Sequence, residues 1–303
     1  MGFTYLCPDR NKTMMKLIVD SGSTKTVWCV VLPGNLSLTF HTAGLNPVRD
    51  DEDAMQEVVN SALAAIQNEC TMGRASSLLP DASFREVFFY GAGCIPPYSQ
   101  TLQSILQRAF PTASVAVESD LLGAARALCG SSEGIACILG TGANSCLYDG
   151  CGITRQTPAL GWILGDEGSG AVLGRLLVGD VLKRQLPDAL CTAFFDHFHL
   201  TQADLIERVY RQPQPNRFLA SLVPFLAEHA DDAPIHAFLL GEFRRFLIRN
   251  VVAYGRRDLP VSFVGGVASQ FASQLREAVE AEGFIMGQVL SNPIQGMVQY
   301  HQP

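Results

Sequence analysis

Three times in this chain an apolar, strand-like run breaks off at a turn of glycine and small polar residues. The runs are "LIVDSGSTKT" at 17–26, "CILGTGANS" at 137–145 and "SFVGGVA" at 262–268. Consecutive backbone N–H groups in such turns form an anion-binding concavity, and glycine permits the backbone angles this needs. Strands that end in ligand-facing loops belong to α/β sheets, where ligands gather outside the carboxyl ends of the strands. The first turn has two readings by itself. Asp20 beside a bound polyphosphate would need a cation between them, and Mg²⁺ commonly touches one carboxylate plus phosphate oxygens. Otherwise it is a type I′ hairpin turn carrying a solvated aspartate. Recurrence favours the first: Thr141, Gly142 and Asn144 repeat the grammar, and Gly265-Gly266 would let a flat ligand such as adenine approach closely. A helix amino end, as after Gly266, tolerates phosphate.

Short apolar runs at 16–19, 26–32 and 37–41, with "LPGN" at 32–35 as a turn, predict an antiparallel meander. A helix is expected at 51–67, where acidic residues open an apolar pattern of helical spacing. A strand at 86–93, a helix at 98–109, a strand at 114–120 and a helix at 121–128 follow. From Gly134 the pattern starts again with strand, glycine turn and strand. Helices are expected at 165–185, 203–210, 217–228 and 236–254, then a strand from Val261, a helix from Ser269 and a last short helix at 294–300. The pattern reads as α/β with a weak internal duplication and a boundary near Glu118. Small-molecule sites favour clefts between such halves.

The formal net charge of −7 argues against a nucleic-acid surface, which calls for a basic patch. No apolar run reaches the ~20 residues that span a bilayer, and residues 1–13 are polar, which suggests a loose extension and a cytoplasmic protein. Nine cysteines without a CxxC pair fit a reducing compartment and buried, inert thiols. Neither GxxxxGK[ST] nor GxGxxG occurs.

"DSGSTKT", "GTGANS" and "GGVA", in this order, resemble the phosphate-1, phosphate-2 and adenosine motifs of the actin–hexokinase–Hsp70 ATPase superfamily. "GLNP" (44–47), "ESDLLGAARAL" (118–128) and "GWILGDEGSGAVLG" (161–174) resemble the N-acetylglucosamine kinase group, which shares a wider family with BadF/BadG/BcrA/BcrD-type ATPases. The likeness runs from Met15 to the closing "NPIQG". It implies two ribonuclease H-like (actin-like ATPase) domains with mixed sheets flanked by helices and an interdomain cleft. They would comprise 15–117 and 118–292, with 293–303 packing back onto the first.

The resemblance also implies roles. Asp120 matches the base that takes the sugar hydroxyl proton, although an aspartate there also suits a helix N-cap. Asp20 would hold Mg²⁺, and the amides of Gly22, Ser23, Thr24, Lys25 and Thr26 would face the β- and γ-phosphates of ATP. Lys25 is otherwise a solvated turn lysine. Thr141, Gly142 and Asn144 match the second phosphate and sugar loop, and Gly265 and Gly266 would border the nucleoside. Asn46 and Asp166 match sugar-binding positions, with Asn46 alternatively an ordinary turn residue; Trp162 either stacks on the sugar or packs in the core. The implied activity is phosphoryl transfer from ATP to an amino sugar, foremost to O6 of N-acetylglucosamine, by a homodimer. N-acetylmuramate, glucosamine and glucose are other possible acceptors. Two departures bear on the acceptor: Ile163 stands where the group often has glycine, and "GAGCIPPY" (91–98) carries Cys94 and two prolines. A rival from the wider family is an ATP-driven dehydratase activator with a shared [4Fe–4S] cluster. Such activators carry a cysteine in the second phosphate loop, where this chain has Ile138 and Leu139; Cys129 and Cys137 are nearby.

Overall fold

Met15–Ser21 is buried on both faces, with Leu17, Ile18 and Val19 inaccessible to solvent, as a strand in the middle of a sheet should be. The computed structural model describes residues 15–22, 24–32, 37–71 and 84–302. This strand, β1, pairs antiparallel with β2 (Lys25–Val31), which pairs antiparallel with β3 (Ser37–Ala43). The expected meander is therefore present, while most of the "LPGN" turn lies outside the described residues. After α1 (Glu52–Thr71), β4 (Phe84–Gly91) joins the other edge of β1 in parallel. Helix α2 (Tyr98–Ala109) then leads to β5 (Ser114–Ser119), parallel to β4, giving the order β3-β2-β1-β4-β5.

Period-two alternation sorts the faces of this sheet. Leu17, Val19, Trp28 and Phe89 join Val59 of α1 and Leu102 of α2 in one apolar core. Trp28 is fully buried, and its indole N–H donates to Thr42 Oγ1 at 2.8 Å, as a buried tryptophan requires. On the opposite face Phe88 stacks on His301 at 3.7 Å and the Tyr90 hydroxyl lies 2.7 Å from His301 Nε2. Lys16 donates to the His301 carbonyl at 2.6 Å, so the end of the chain is tied to this sheet.

Helix α3 (Asp120–Cys129) contains the division of the chain. One compact unit runs up to Gly123 and takes in Ile294 onward; the other is Ala124–Pro293. The second unit opens with the antiparallel strands β6 (Glu133–Leu139), β7 (Ala143–Asp149) and β8 (Ile153–Gln156). Seven helices follow: α4 (Gly161–Leu164), α5 (Gly170–Leu182), α6 (Asp188–Phe198), α7 (Gln202–Tyr210), α8 (Pro215–Ala220), α9 (Val223–Glu228) and α10 (Ala233–Phe246). Strand β9 (Pro260–Val264) pairs parallel with β6, and after α11 (Gly266–Gln270) and α12 (Ala272–Ala281), β10 (Ile285–Leu290) pairs parallel with β9. The last helix, α13 (Ile294–Tyr300), belongs to the first unit.

The second sheet has the order β10-β9-β6-β7-β8. Each unit is thus a three-strand meander followed by two parallel strands, the ribonuclease H-like arrangement that the superfamily resemblance implies. The duplication is carried by pairing order rather than by letters.

Several helix limits differ from expectation for local reasons. The helix expected at 165–185 begins at Gly170, because Ser169 accepts the Val172 N–H and caps it there. The one expected at 217–228 breaks into α8 and α9, with Pro224, which has no N–H to donate, in the first turn of α9. The one expected at 236–254 leaves α geometry at Leu247, winds through a π turn (Leu247–Val251) and a 3₁₀ turn (Val252–Tyr254), and stops at the left-handed Gly255. The helix expected from Ser269 starts earlier, at Gly266, and is interrupted at Phe271, whose φ of −113° and ψ of 35° are not helical.

Candidate functional site

In the first unit, β1, β4 and β5 run in parallel and end together. Asp20 sits one residue before the end of β1, in register with Val27 on one side and Tyr90 on the other. Strand β5 ends at Ser119, whose hydroxyl accepts the Leu122 N–H at 3.2 Å and so caps α3. The cap falls one residue before the position the sequence suggested. Asp120 begins the helix, with its Oδ1 accepting the Leu121 N–H at 2.8 Å.

The charge of Asp120 reaches Asp20. Burial, and then the charge of Asp120, push Asp20 up to about 7 against a partial offset from Lys25. Burial also raises Asp120, and the Leu121 N–H works the other way. Asp20 therefore keeps its proton in the fold at pH values where an unfolded aspartate, near 3.8, has lost it. The folded state binds more protons between about pH 4 and about pH 7, so stability falls as pH rises through that window. Asp20→Asn removes the share of this effect that Asp20 carries. Its melting temperature is expected to exceed that of the wild type at pH 8, with the gap closing by pH 4; thermal melts across that range check this, and a pH-independent gap would refute it.

The turn after β1 makes hydrogen bonds of its own. Gly22 donates its N–H to the Lys25 carbonyl at 3.0 Å, which closes the turn on itself. Thr26 is fully buried, its hydroxyl 2.7 Å from Ser21 Oγ and donating to the Ala43 carbonyl at 3.0 Å; Ser21 in turn donates to the Leu45 carbonyl at 2.9 Å. The two hydroxyls thus tie the start of the meander to the 43–45 segment, while the Gly22 amide closes the turn onto Lys25. Thr24 and Lys25 are exposed, and Ser23 lies outside the described residues.

Asn46 behaves as a turn residue, with its Oδ1 accepting the Val48 N–H at 3.0 Å and its own N–H donating to Asp50 at 2.8 Å. It also fixes the glycine loop after β4. Gly93 has a φ of 77°, and a Cβ there would overlap Asn46 Oδ1, so only glycine lets the two loops meet. Cys94, beside them, is buried, and burial followed by the charges of Asp120 and Glu118 pushes its thiol up to about 12.

In the second unit the other two glycine turns touch. Gly265 has a φ of 129°, and a Cβ on it would overlap the carbonyl of Leu139, at the root of the 140–142 turn. That turn is braced from behind: Gly170 and Ala171, at the start of α5, donate to the Gly140 and Thr141 carbonyls at 2.8 and 3.1 Å. Gly266 faces open space.

Asp166 approaches the same turn from the α4–α5 loop. Its backbone is left-handed, with a φ of 54°, and its Oδ2 lies 3.0 Å from where a Cβ on Gly142 would stand. Burial raises it to about 6; the Ala143 and Gly161 N–H groups oppose that rise and Glu167 adds to it. Asn144 Oδ1 accepts the Ser145 N–H at 2.9 Å and Gln156 Nε2 at 3.2 Å. Trp162 is partly buried and packs against the apolar core of the unit.

Beside Asp166 opens a cavity of about 410 Å³, lined by Asn144, Thr157, Asp166, Glu167, Arg249 and Asn250 among others. Its size suits a small molecule, and its converging amides and carboxylates suit one rich in hydroxyls. Thr157, Arg249 and Asn250 were not foreseen; the last two sit in what reads as an unbroken helical pattern. Among the described residues no group of three or more His, Cys, Asp or Glu side chains converges as a metal cluster would, and no helix is long and apolar enough to cross a membrane.

No protein-family model and no curated protein matches the chain. Solved structures do. A Porphyromonas gingivalis protein provisionally named an N-acetylglucosamine kinase is 48% identical over 95% of this chain and 98% of that one, with a TM-score of 0.87. A Chromobacterium violaceum protein given the same provisional name is 20% identical over 96% and 100% of the two chains, with a TM-score of 0.71. A ROK-family glucokinase from Streptomyces griseus, solved with glucose and AMPPNP, is 16% identical over 94% and 97%, with a TM-score of 0.54. The last two share the fold.

Proposed function

The chain belongs to the N-acetylglucosamine kinase-like family of the actin–hexokinase–Hsp70 superfamily, and on that premise we propose that it moves the γ-phosphoryl group of ATP to an amino-sugar hydroxyl. The acceptor proposed is O6 of N-acetylglucosamine, giving N-acetylglucosamine 6-phosphate. The observation that carries the reading is the placement of Asp20 near the end of β1 and of Asp120 just after β5, at one end of one sheet, where the charge of Asp120 adds to the rise that burial gives Asp20.

Phosphoryl transfer needs positioning, charge neutralisation and a group to take the acceptor proton. Asp120 is the base in this proposal, its carboxylate oriented by the Leu121 N–H. In the first unit the exposed Thr24 and Lys25 are available to phosphate; in the second unit the 141–142 turn is braced for the same ligand class and the open side of Gly266 leaves room for a nucleoside. Asp166 and Asn144 give the cavity its sugar-hydroxyl partners.

A divalent cation fits the donor set, because Asp20 offers a hard carboxylate oxygen at the strand end and a cation there would offset the repulsion from Asp120. Bound there, Mg²⁺ would neutralise phosphate charge. Asp20 would hold it.

ADP release in the presence of Mg-ATP, measured over N-acetylglucosamine, N-acetylmuramate, glucosamine and glucose, tests the proposal. The highest kcat/KM is expected with N-acetylglucosamine. ADP release that no sugar stimulates would overturn the kinase reading, and a preference for another sugar would overturn the acceptor.

A further inference from the structure

Glu167 follows Asp166 directly and shares the cavity wall with it. Its side chain is only 12% exposed, and the carboxylate is gripped on both oxygens. Oε1 pairs with the Arg249 guanidinium, and Oε2 accepts Asn250 Nδ2 at 3.2 Å. Asn250 is itself held from three directions. Its Nδ2 also donates to the Phe246 carbonyl at 3.1 Å, and its own carbonyl accepts the Thr157 hydroxyl at 2.7 Å and the Ser145 hydroxyl at 3.3 Å. These contacts depend on the π turn at Leu247–Val251, and π turns within helices concentrate at functional sites. The last carbonyls of a helix lack partners within it, and the Asn250 carbonyl finds them on β7 and on the segment after β8.

The Arg249 end of this grip is solvated. Arg249 is 56% exposed, and ion pairs to exposed side chains contribute little to stability. What the grip does fix is the direction of the chain at Asp166. That residue is held left-handed, which only a few residue types adopt readily, and its carboxylate lies between the Ala143 and Gly161 N–H groups. With the backbone turned left-handed at Asp166, Glu167 reaches Arg249 and Asn250. The charged groups around Glu167 are Asp166 beside it, Arg249 on the π turn, Glu242 and Arg245 on α10, and Arg175 on α5.

We propose that Glu167 is a positioning residue: clamped by Arg249 and Asn250, it sets the turn at Asp166 and so aims the Asp166 carboxylate at the acceptor in the cavity. This rests on the kinase reading above. Neither Glu167 nor Arg249 need touch the reacting atoms.

The test compares full-length wild type with Glu167→Gln, Arg249→Ala and Arg249→Lys. Glu167→Gln and Arg249→Ala are expected to raise the sugar KM by roughly tenfold, on the scale of small misplacements near a reacting centre, with the ATP KM unmoved. Arg249→Lys should recover part of the loss. In Glu167→Gln the acid limb of kcat/KM for the sugar should move to lower pH, because removing a like charge lets Asp166 ionise more easily. Arg249 is exposed enough for its variants to fold if Glu167→Gln does not. A sugar KM within about twofold of wild type in a folded variant would overturn the role. So would an equal rise in both KM values with a lowered melting temperature and an unmoved acid limb. Wild type that phosphorylates no sugar removes the kinase reading and this role with it, whereas active wild type with indifferent variants removes the role alone.

Discussion

Asp120→Asn is expected to lower kcat by about 10²–10⁴-fold, the usual contribution of a general base, while sugar and nucleotide affinities stay near those of wild type. Asparagine has the shape of aspartate and keeps an oxygen to accept the Leu121 N–H, so the start of α3 should be undisturbed. What disappears is the ability to take a proton. Burial favours that role, since an aspartate raised above its usual range holds a transferred proton more firmly at neutral pH. A purely structural Asp120 predicts a different result. Asparagine and aspartate are nearly equivalent helix caps, and Ser119 already caps this helix, so a structural role would leave turnover unchanged. Steady-state kinetics beside calorimetric titration of sugar and nucleotide separates the two. Full turnover in the variant would remove Asp120 from the chemistry.

The parts of this molecule that could be read from its letters are those fixed by local chemistry. Asp20 and Asp120 could be placed at strand ends because each follows an apolar run, and the glycines at 140, 142, 265 and 266 mark where strands stop. The repeated pairing order was visible only as a repeated opening: β8 has four residues and β10 carries Gly287 within it, so neither has a clear period-two signature. Helix α6 was missed although Leu190, Cys191 and Phe194 lie buried on one side of it, because its apolar residues follow a proline and run close together. Contacts between distant segments were illegible altogether. Nothing near Thr26 announces that its hydroxyl serves the Ala43 carbonyl, and nothing near Glu167 points to Arg249 and Asn250, about eighty residues on. By its letters Thr26 belongs to a polar turn, while its hydroxyl bonds within the sheet. The reverse holds for Arg249, whose place in a helical pattern conceals its place at a cavity.

Gly265→Ala is expected to destabilise the protein by about 3 kcal/mol or more, combining a strained backbone at positive φ with overpacking. Gly265 has a φ of 129°, and its missing Cβ is what lets the third glycine turn lie against the Leu139 carbonyl at the root of the second. Neither neighbour can yield cheaply. Gly265 donates its N–H to the Leu290 carbonyl at 2.9 Å, and β9 is paired to β6 through Val264 and Ile138. For a stability of about 5–15 kcal/mol, such a loss would leave a marginal fold. Gly266→Ala is the matched control. Its Cβ would meet nothing within 4 Å and its φ is not among the positive ones, so the melting temperature should hold or rise slightly, alanine being the better helix former. Yet Gly266 is the position proposed to face the nucleoside, so this variant should weaken nucleotide binding without weakening the fold. Adjacent glycines would then fail in opposite ways, one by melting and the other by loss of nucleotide affinity. Differential scanning calorimetry and nucleotide titration on the pair read both. If Gly265→Ala melts like wild type, the two turns do not depend on their close contact; if Gly266→Ala binds nucleotide unchanged, the nucleoside lies elsewhere.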